Sequence, residues 1–137
     1  MIEIESGPWE VMAAHARECY PRECCGIMLG KDSQVTLAIA CRNSYEGDRK
    51  DRFVIDNADQ IAADKKAREL VLDVLGFFHS HPDEASYFSE TDLKHSWPFF
   101  ANVVISVRKG EVQDAKAFRV DVDQTAAEPE ELKWPKS

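Results

Sequence analysis

Residues 76–92 read Gly-Phe-Phe-His-Ser-His-Pro-Asp-Glu-Ala-Ser-Tyr-Phe-Ser-Glu-Thr-Asp, and three of their side chains, His79, His81 and Asp92, have both the chemistry and the spacing of metal ligands. His79 and His81 stand two apart at the end of an apolar run. In an extended strand, side chains at i and i+2 share a face, so both imidazoles can point at one spot. Pro82 stops the strand, because it has no N–H to give to a sheet ladder. After a polar loop, Ser89 opens a predicted helix, with Asp92 three positions on. Two neutral imidazoles and one carboxylate, with water in the fourth place, make the open tetrahedral site of a catalytic zinc. Such an ion lowers the pKa of bound water toward ~7 and polarises a carbonyl, so no covalent nucleophile is needed. Ser-x-x-Asp has a plain structural reading as well, a capping box with serine at the N-cap and an acid at N3. Capping and ligation can coexist. His95 reads as a neighbouring or surface histidine, since a fourth protein ligand would displace the catalytic water.

His79-Ser80-His81-Pro82, six residues, then Ser89-Glu90-Thr91-Asp92 resembles the signature of the JAMM (MPN-plus) metallopeptidases. That family also has a glutamate on or near an early strand. Pro21-Arg22-Glu23-Cys24-Cys25-Gly26-Ile27-Met28-Leu29-Gly30 is similar to that segment. The resemblance covers residues 1–120, and in particular it is to the compact bacterial peptidases acting on ubiquitin-like sulfur-carrier proteins.

The resemblance implies zinc, one ion per chain, on His79, His81 and Asp92. It implies that Glu23 holds the attacking water, acts as general base and passes the proton to the leaving amine. Ser89 would stabilise the oxyanion, and Asn43 would lie near bound substrate. The implied fold is α+β: a curved, mixed or mostly antiparallel sheet flanked by helices, the cytidine-deaminase-like architecture. The implied reaction is hydrolysis after the C-terminal Gly-Gly of a ubiquitin-like partner, releasing cysteine in the sulfur-carrier case. An extended Gly-Gly tail could add a strand to a sheet edge.

Rival readings are a metal-free scaffold of the same fold, and a zinc peptidase on cell-wall-type peptides, as in phage-tail relatives. A third is a cysteine hydrolase using Cys24 or Cys25. A deaminase is excluded, because His-x-Glu followed by Pro-Cys-x-x-Cys is absent.

The 137 residues suit one domain, and a net charge of −8 argues against a nucleic-acid partner. It disfavours an anionic membrane surface too. No apolar run reaches the ~18 residues of a membrane span. Met1-Ile2-Glu3-Ile4-Glu5 lacks the basic and apolar regions of a secretory signal, so the expected compartment is the cytoplasm. The cysteines fall at 19, 24, 25 and 41 without a Cys-x-x-Cys pair. They read as buried, reduced thiols.

The elements that must position the site follow from periodicity. Residues 1–5 alternate as a short strand, and 8–20 carry apolar residues at helical spacing up to Pro21. Residues 24–29 and 35–41 form a hairpin. The charged stretch 42–52 reads as a loop, either solvated or lining a groove. Residues 53–55 read as a short strand. A helix capped by Asp56 or Asn57 runs to Leu70, with Ile61, Ala62, Lys65 and Leu70 on or near its inner side. Residues 71–78 lead into the histidines, and Gly76 allows a close approach of backbone or ligand. Residues 99–107 and 112–120 form a closing hairpin. The acidic, proline-bearing residues 121–137 read as a loosely ordered tail, in which Leu132 and Trp134 could dock.

Overall fold

The computed structural model describes residues 1–49 and 52–135. Lys50 and Asp51 of the charged loop, and Lys136 and Ser137 of the tail, lie outside the described residues.

The chain order is β1 (Ile2–Ile4), α1 (Ser6–Cys19), β2 (Cys25–Lys31), β3 (Gln34–Cys41), α2 (Asn57–Leu70) and β4 (Asp73–Pro82). Then come α3 (Glu90–His95), β5 (Ala101–Arg108), β6 (Glu111–Val120), β7 (Ala127–Glu130) and β8 (Leu132–Lys133). The strands form one sheet in the order β7-β6-β5-β4-β2-β3-β1-β8. The pairs β4/β5, β1/β3 and β1/β8 are parallel and the others antiparallel, so the sheet is mixed, as expected.

β7 and β8 are opposite edges of this sheet, yet only Glu131 separates them. Two peptide steps span at most about 7.6 Å, so the sheet must curl until its edges nearly meet. The expected tail is therefore replaced by strands. An open sheet edge presents unpaired N–H and C=O groups that accept any extended neighbour. Residues 127–130 take the β6 edge, where Pro129 is tolerated because its missing N–H can face outward. Leu132 and Trp134 pack on the core, with the Trp134 ring 4.6 Å from Trp9.

Alternation along β4 divides the molecule. Phe78 points to the inside of the curl, where Trp9, Met12 and Ala16 of α1 meet Val35, Val103 and Ile105. Phe77 points outward with Ile27 and Leu29, under α2. α2 buries Ala63 and Ala67. Ile61 is 68% exposed and Leu70 49%, which corrects the expected inner side. Small alanines at i and i+4 let the helix lie close to the strands, and that contact sets its rotation. Asp56 caps α2, accepting from the Asp59 N–H at 3.3 Å.

The approach to the histidines also differs from the expectation. Val71 ends α2 in the left-handed region (φ 55°), and β4 begins only at Asp73. Residues 53–55 form no strand but a single bridge, Asn43 to Ile55. Gly76 is required by packing: a Cβ there would lie 1.9 Å from the Ala101 carbonyl oxygen. β4 and β5 can thus run close enough to carry the histidines to the end of the sheet.

Candidate metal centre

The site forms where β4 ends and β2 begins. Cys25 pairs with His79 across these antiparallel strands. One step on, the Ser80 N–H donates to the Cys24 carbonyl at 3.2 Å, and the Cys24 N–H donates to Ser80 Oγ at 2.8 Å. The next step of that register brings Glu23 against His81. Ser80 thus clamps the glutamate's strand to the histidines' strand from the inner face, while both histidines point outward. The sequence reading passed over Ser80, although alternation already placed a lone buried polar residue there.

Glu23, His79, His81 and Asp92 offer ligand atoms that all lie within 4.8 Å of one another, and all four residues are buried. The two imidazole Nε2 atoms are 3.3 Å apart, and each is 3.1 Å from Asp92 Oδ2. A tetrahedral zinc with bonds of about 2.0–2.1 Å sets its donor atoms about 3.3–3.4 Å apart. The donor set therefore fits that ion in both element type and spacing.

Tautomers point the same way. His81 Nδ1 is 3.0 Å from the Ala85 carbonyl oxygen, which can only accept. Nδ1 therefore carries the proton, and in the neutral ring Nε2 presents a lone pair toward Asp92. A lone pair facing a carboxylate oxygen in a buried pocket calls for a cation between them. Burial holds His79 below the usual histidine range, against the pull of Asp92. Burial opposes ionisation of Asp92, but positive charge at His79, ring N–H donation toward the carboxylate and the Ser89 backbone N–H outweigh it and hold the carboxyl far below the ordinary range, so without an ion the carboxylate draws protons onto the rings.

The loop and helix after β4 set Asp92, the third candidate ligand. Ser89 Oγ accepts from the Asp92 N–H, and the Ser89 N–H donates to Asp92 Oδ2, both at 3.0 Å. The capping box therefore aims the same oxygen that meets both imidazoles. The Ser89 hydroxyl spends a lone pair on this cap, and its proton is left to donate. Ser89 lines a cleft of about 460 Å³ with Glu23, Tyr45, Arg52, His81 and Tyr87. Residues 83–88 are tied down by Ser106 Oγ to the Glu84 carbonyl (2.5 Å), Ser86 Oγ to Asp114 (2.8 Å) and the Asp83 N–H to the Val107 carbonyl (2.6 Å).

Asn43 stands beside the cleft but serves its wall. Its amide donates to the Glu23 and Arg52 carbonyls (3.2 and 3.1 Å) and accepts from the Tyr45 and Val54 N–H groups (3.1 and 3.0 Å). Both donors and both lone pairs are committed, so the side chain holds the loop. Phe53, which the sequence reading did not single out, stacks on His79 with ring centroids 4.6 Å apart. No local signal marks a residue 26 positions upstream as a neighbour. His95 is exposed and meets Arg52 rather than the ligand set.

The thiols stand apart from this chemistry. Cys24, Cys25 and Cys41 are buried and free. Burial pushes Cys24 and Cys41 up to about 12 and Cys25 higher still. A thiolate nucleophile has no support here. Among the described residues, no helix is long and apolar enough to cross a membrane.

Comparison with known proteins agrees with this architecture. A tail tip assembly protein K of Escherichia phage N15 is 35% identical over 83 residues, which are 61% of this chain and 31% of that protein. The chain thus spans about a third of that relative's length. A desampylase of Haloferax volcanii is 31% identical over 119 residues, covering 77% of this chain and 80% of the relative. A solution structure of a Desulfitobacterium hafniense protein superposes with a TM-score of 0.84 at 27% identity, covering all of this chain and 94% of that one. A JAB1/MPN domain protein from Archaeoglobus fulgidus shares the fold, with a TM-score of 0.60 at 17% identity over 99% and 98% of the two chains. The family of prokaryotic homologs of the JAB domain matches residues 7–121, and the chain belongs to it.

Proposed function

We propose that this protein is a zinc-dependent peptidase or isopeptidase that hydrolyses the bond following the C-terminal Gly-Gly of a ubiquitin-like protein. The observation that carries the reading is the buried convergence of two imidazoles and two carboxylates, those of Glu23 and Asp92, with ligand atoms all within 4.8 Å of one another. The desampylase relative, matched over most of its length, supports a ubiquitin-like partner. The sulfur-carrier substrate and the release of cysteine are the finer part of the proposal.

His79, His81 and Asp92 hold the ion, which when bound supplies Lewis acidity toward water and the scissile carbonyl. Glu23 takes a proton from the attacking water as its oxygen adds to the carbonyl carbon. The Ser89 hydroxyl donates to the oxygen that gains charge. The C–N bond then breaks, and Glu23 returns the proton to the departing amine. The products are a Gly-Gly carboxylate and a free amine. Asn43 acts at one remove, by fixing the loop beside Glu23.

The test is the intact mass of a ubiquitin-like sulfur carrier ending Gly-Gly-Cys, before and after incubation with zinc-loaded protein, with Glu23→Gln alongside. The expected result is loss of the terminal cysteine with wild type alone. A zinc-loaded sample that leaves the carrier intact rejects this substrate. The phage-tail likeness then makes cell-wall-type peptides the next to try. A folded sample that binds no zinc favours a scaffold.

A further inference from the structure

Arg52 is unlike every other residue around the centre. Among the described residues it is the only lysine or arginine lining either the cleft that contains Glu23 and His81 or the neighbouring apolar pocket of about 250 Å³. It lines both, at their shared wall. The other ionised side chains there are the acids Glu23, Glu84 and Asp92. A divalent ion would balance Glu23 and Asp92 in formal charge. That leaves Arg52 and Glu84 as the remaining opposite charges of the cleft, with Arg52 its one cationic side chain among the described residues, in a chain whose net charge is −8.

The guanidinium is held but not used up. Nη2 donates to His95 Nε2 at 2.8 Å, and Cζ lies over the Tyr45 ring, 4.7 Å from its centroid. These contacts fix its orientation. A guanidinium has five N–H donors in a fork that fits a carboxylate, and among the described residues the buried Nε has no hydrogen-bond partner. An unmet buried donor on a pre-oriented fork is costly unless a ligand satisfies it.

The identity of that ligand follows from its place. Resting on the hydrolytic reading above, the acyl side of the scissile bond is a continuous chain that carries no free carboxylate before cleavage. A chain that ends one residue beyond the bond carries one a single residue away, about 3.8 Å along the backbone. We propose that Arg52 determines specificity by binding the free α-carboxylate of the leaving residue. The site is thereby suited to removing one C-terminal amino acid from behind Gly-Gly. A leaving lysine side chain of an isopeptide conjugate has no such group at that position. Water adds across the amide, the Gly-Gly product leaves as a carboxylate, and the amino acid departs with the proton on nitrogen and its own carboxylate unchanged.

The test uses two forms of one ubiquitin-like carrier ending Gly-Gly-Cys, one with a free C-terminal carboxylate and one with a carboxamide. With zinc-loaded wild type, kcat/KM is expected to be about 10- to 100-fold higher for the carboxylate, the range of a hydrogen bond to a charged group. In Arg52→Gln that ratio falls toward one, mostly through KM, and Arg52→Lys restores part of it. Calorimetry supplies a readout without turnover. Zinc-loaded Glu23→Gln should bind the carboxylate form more tightly than the carboxamide by a similar factor, and Glu23→Gln/Arg52→Gln should not. Equal cleavage of both forms by wild type overturns the assignment. So does an equal loss on both in a folded Arg52→Gln, which would leave Arg52 as a loop anchor. If Arg52→Gln does not fold, the wild-type ratio and Arg52→Lys decide. If wild type cleaves neither form and Glu23→Gln binds neither, the carrier substrate itself is rejected and the carboxylate assignment falls with it.

Discussion

The two halves of the metal centre are built by different means. One half is β4, the loop after it and α3. Its three candidate ligands lie within 14 residues, His79 to Asp92; His81 and Asp92 are held by bonds inside that stretch, the Ala85 carbonyl and a capping box, and His79 by the pairing of β4 with β5. The other half is Glu23, Asn43, Arg52 and Phe53. These come from the entrance of β2 and from a loop, and they meet the first half across the sheet. The first half is suited to hold an ion whether or not the second is in place. The second contributes the cleft wall and, in the proposed mechanism, the proton carrier. Metal binding and turnover should therefore separate by mutation.

The largest expected effect is in the first half. His81→Ala removes a ligand and leaves a buried carboxylate without its partner, so both bound zinc and activity should vanish. Elemental analysis of the purified variant, beside a chelator-treated wild type, checks this. Retained metal and turnover in that variant would break the division at its root. Next is Glu23→Gln, which should keep zinc and the melting temperature but lose ~10²–10⁴ in kcat. Loss of metal instead would move Glu23 into the ligand half.

Ser89→Ala belongs to both halves, since the same hydroxyl caps α3 and faces the cleft. Turnover should fall by up to ~10²–10³ if it donates to the oxyanion, and the cap should cost about 1 kcal/mol. A thermal melt beside the kinetics separates the two. Asn43→Ala strands several backbone groups of the loop. We expect about 1–3 kcal/mol of lost stability, with zinc stoichiometry unchanged. A drop in zinc content would show that the loop also shapes the ligand half.

The smallest effect is expected at the thiols. With Cys24 and Cys41 pushed up to about 12 by burial, nearly all of each stays protonated at pH 8. Iodoacetamide should leave activity intact there, while a chelator abolishes it. The sign follows from the thiolate being the reactive form: reactivity should rise as pH climbs toward 12. Rapid inactivation at pH 8 would revive a cysteine mechanism.

Reading the sequence correctly was easiest where one element decides the geometry. The placement of His79 and His81 on one face needs only the two-residue period of a strand. Ser89 and Asp92 need only the first turn of a helix. The misjudged inner side of α2 shows the limit of periodicity. Ile61 and Leu70 are apolar, yet Ala63 and Ala67 are buried, because helix rotation is set by what the helix packs against. The tail misled for a related reason. Its composition is that of a loose segment, but two open sheet edges supplied partners that its own residues do not reveal.

The sequence by itself thus determined the candidate ligand types, their spacing and the elements that carry them, since backbone geometry over a few residues is enough to aim a side chain. The glutamate was legible only by resemblance to a known signature. Its approach to His81 depends on strands whose contacting residues, Cys24 and Ser80, are 56 positions apart. Only the tertiary structure decided that pairing, the curl that joins the two sheet edges, the wall of Arg52 and Phe53, and the commitment of Asn43 to backbone groups. Each is a contact between distant segments, whose free energy comes from burial and pairing across the sheet rather than from any local preference.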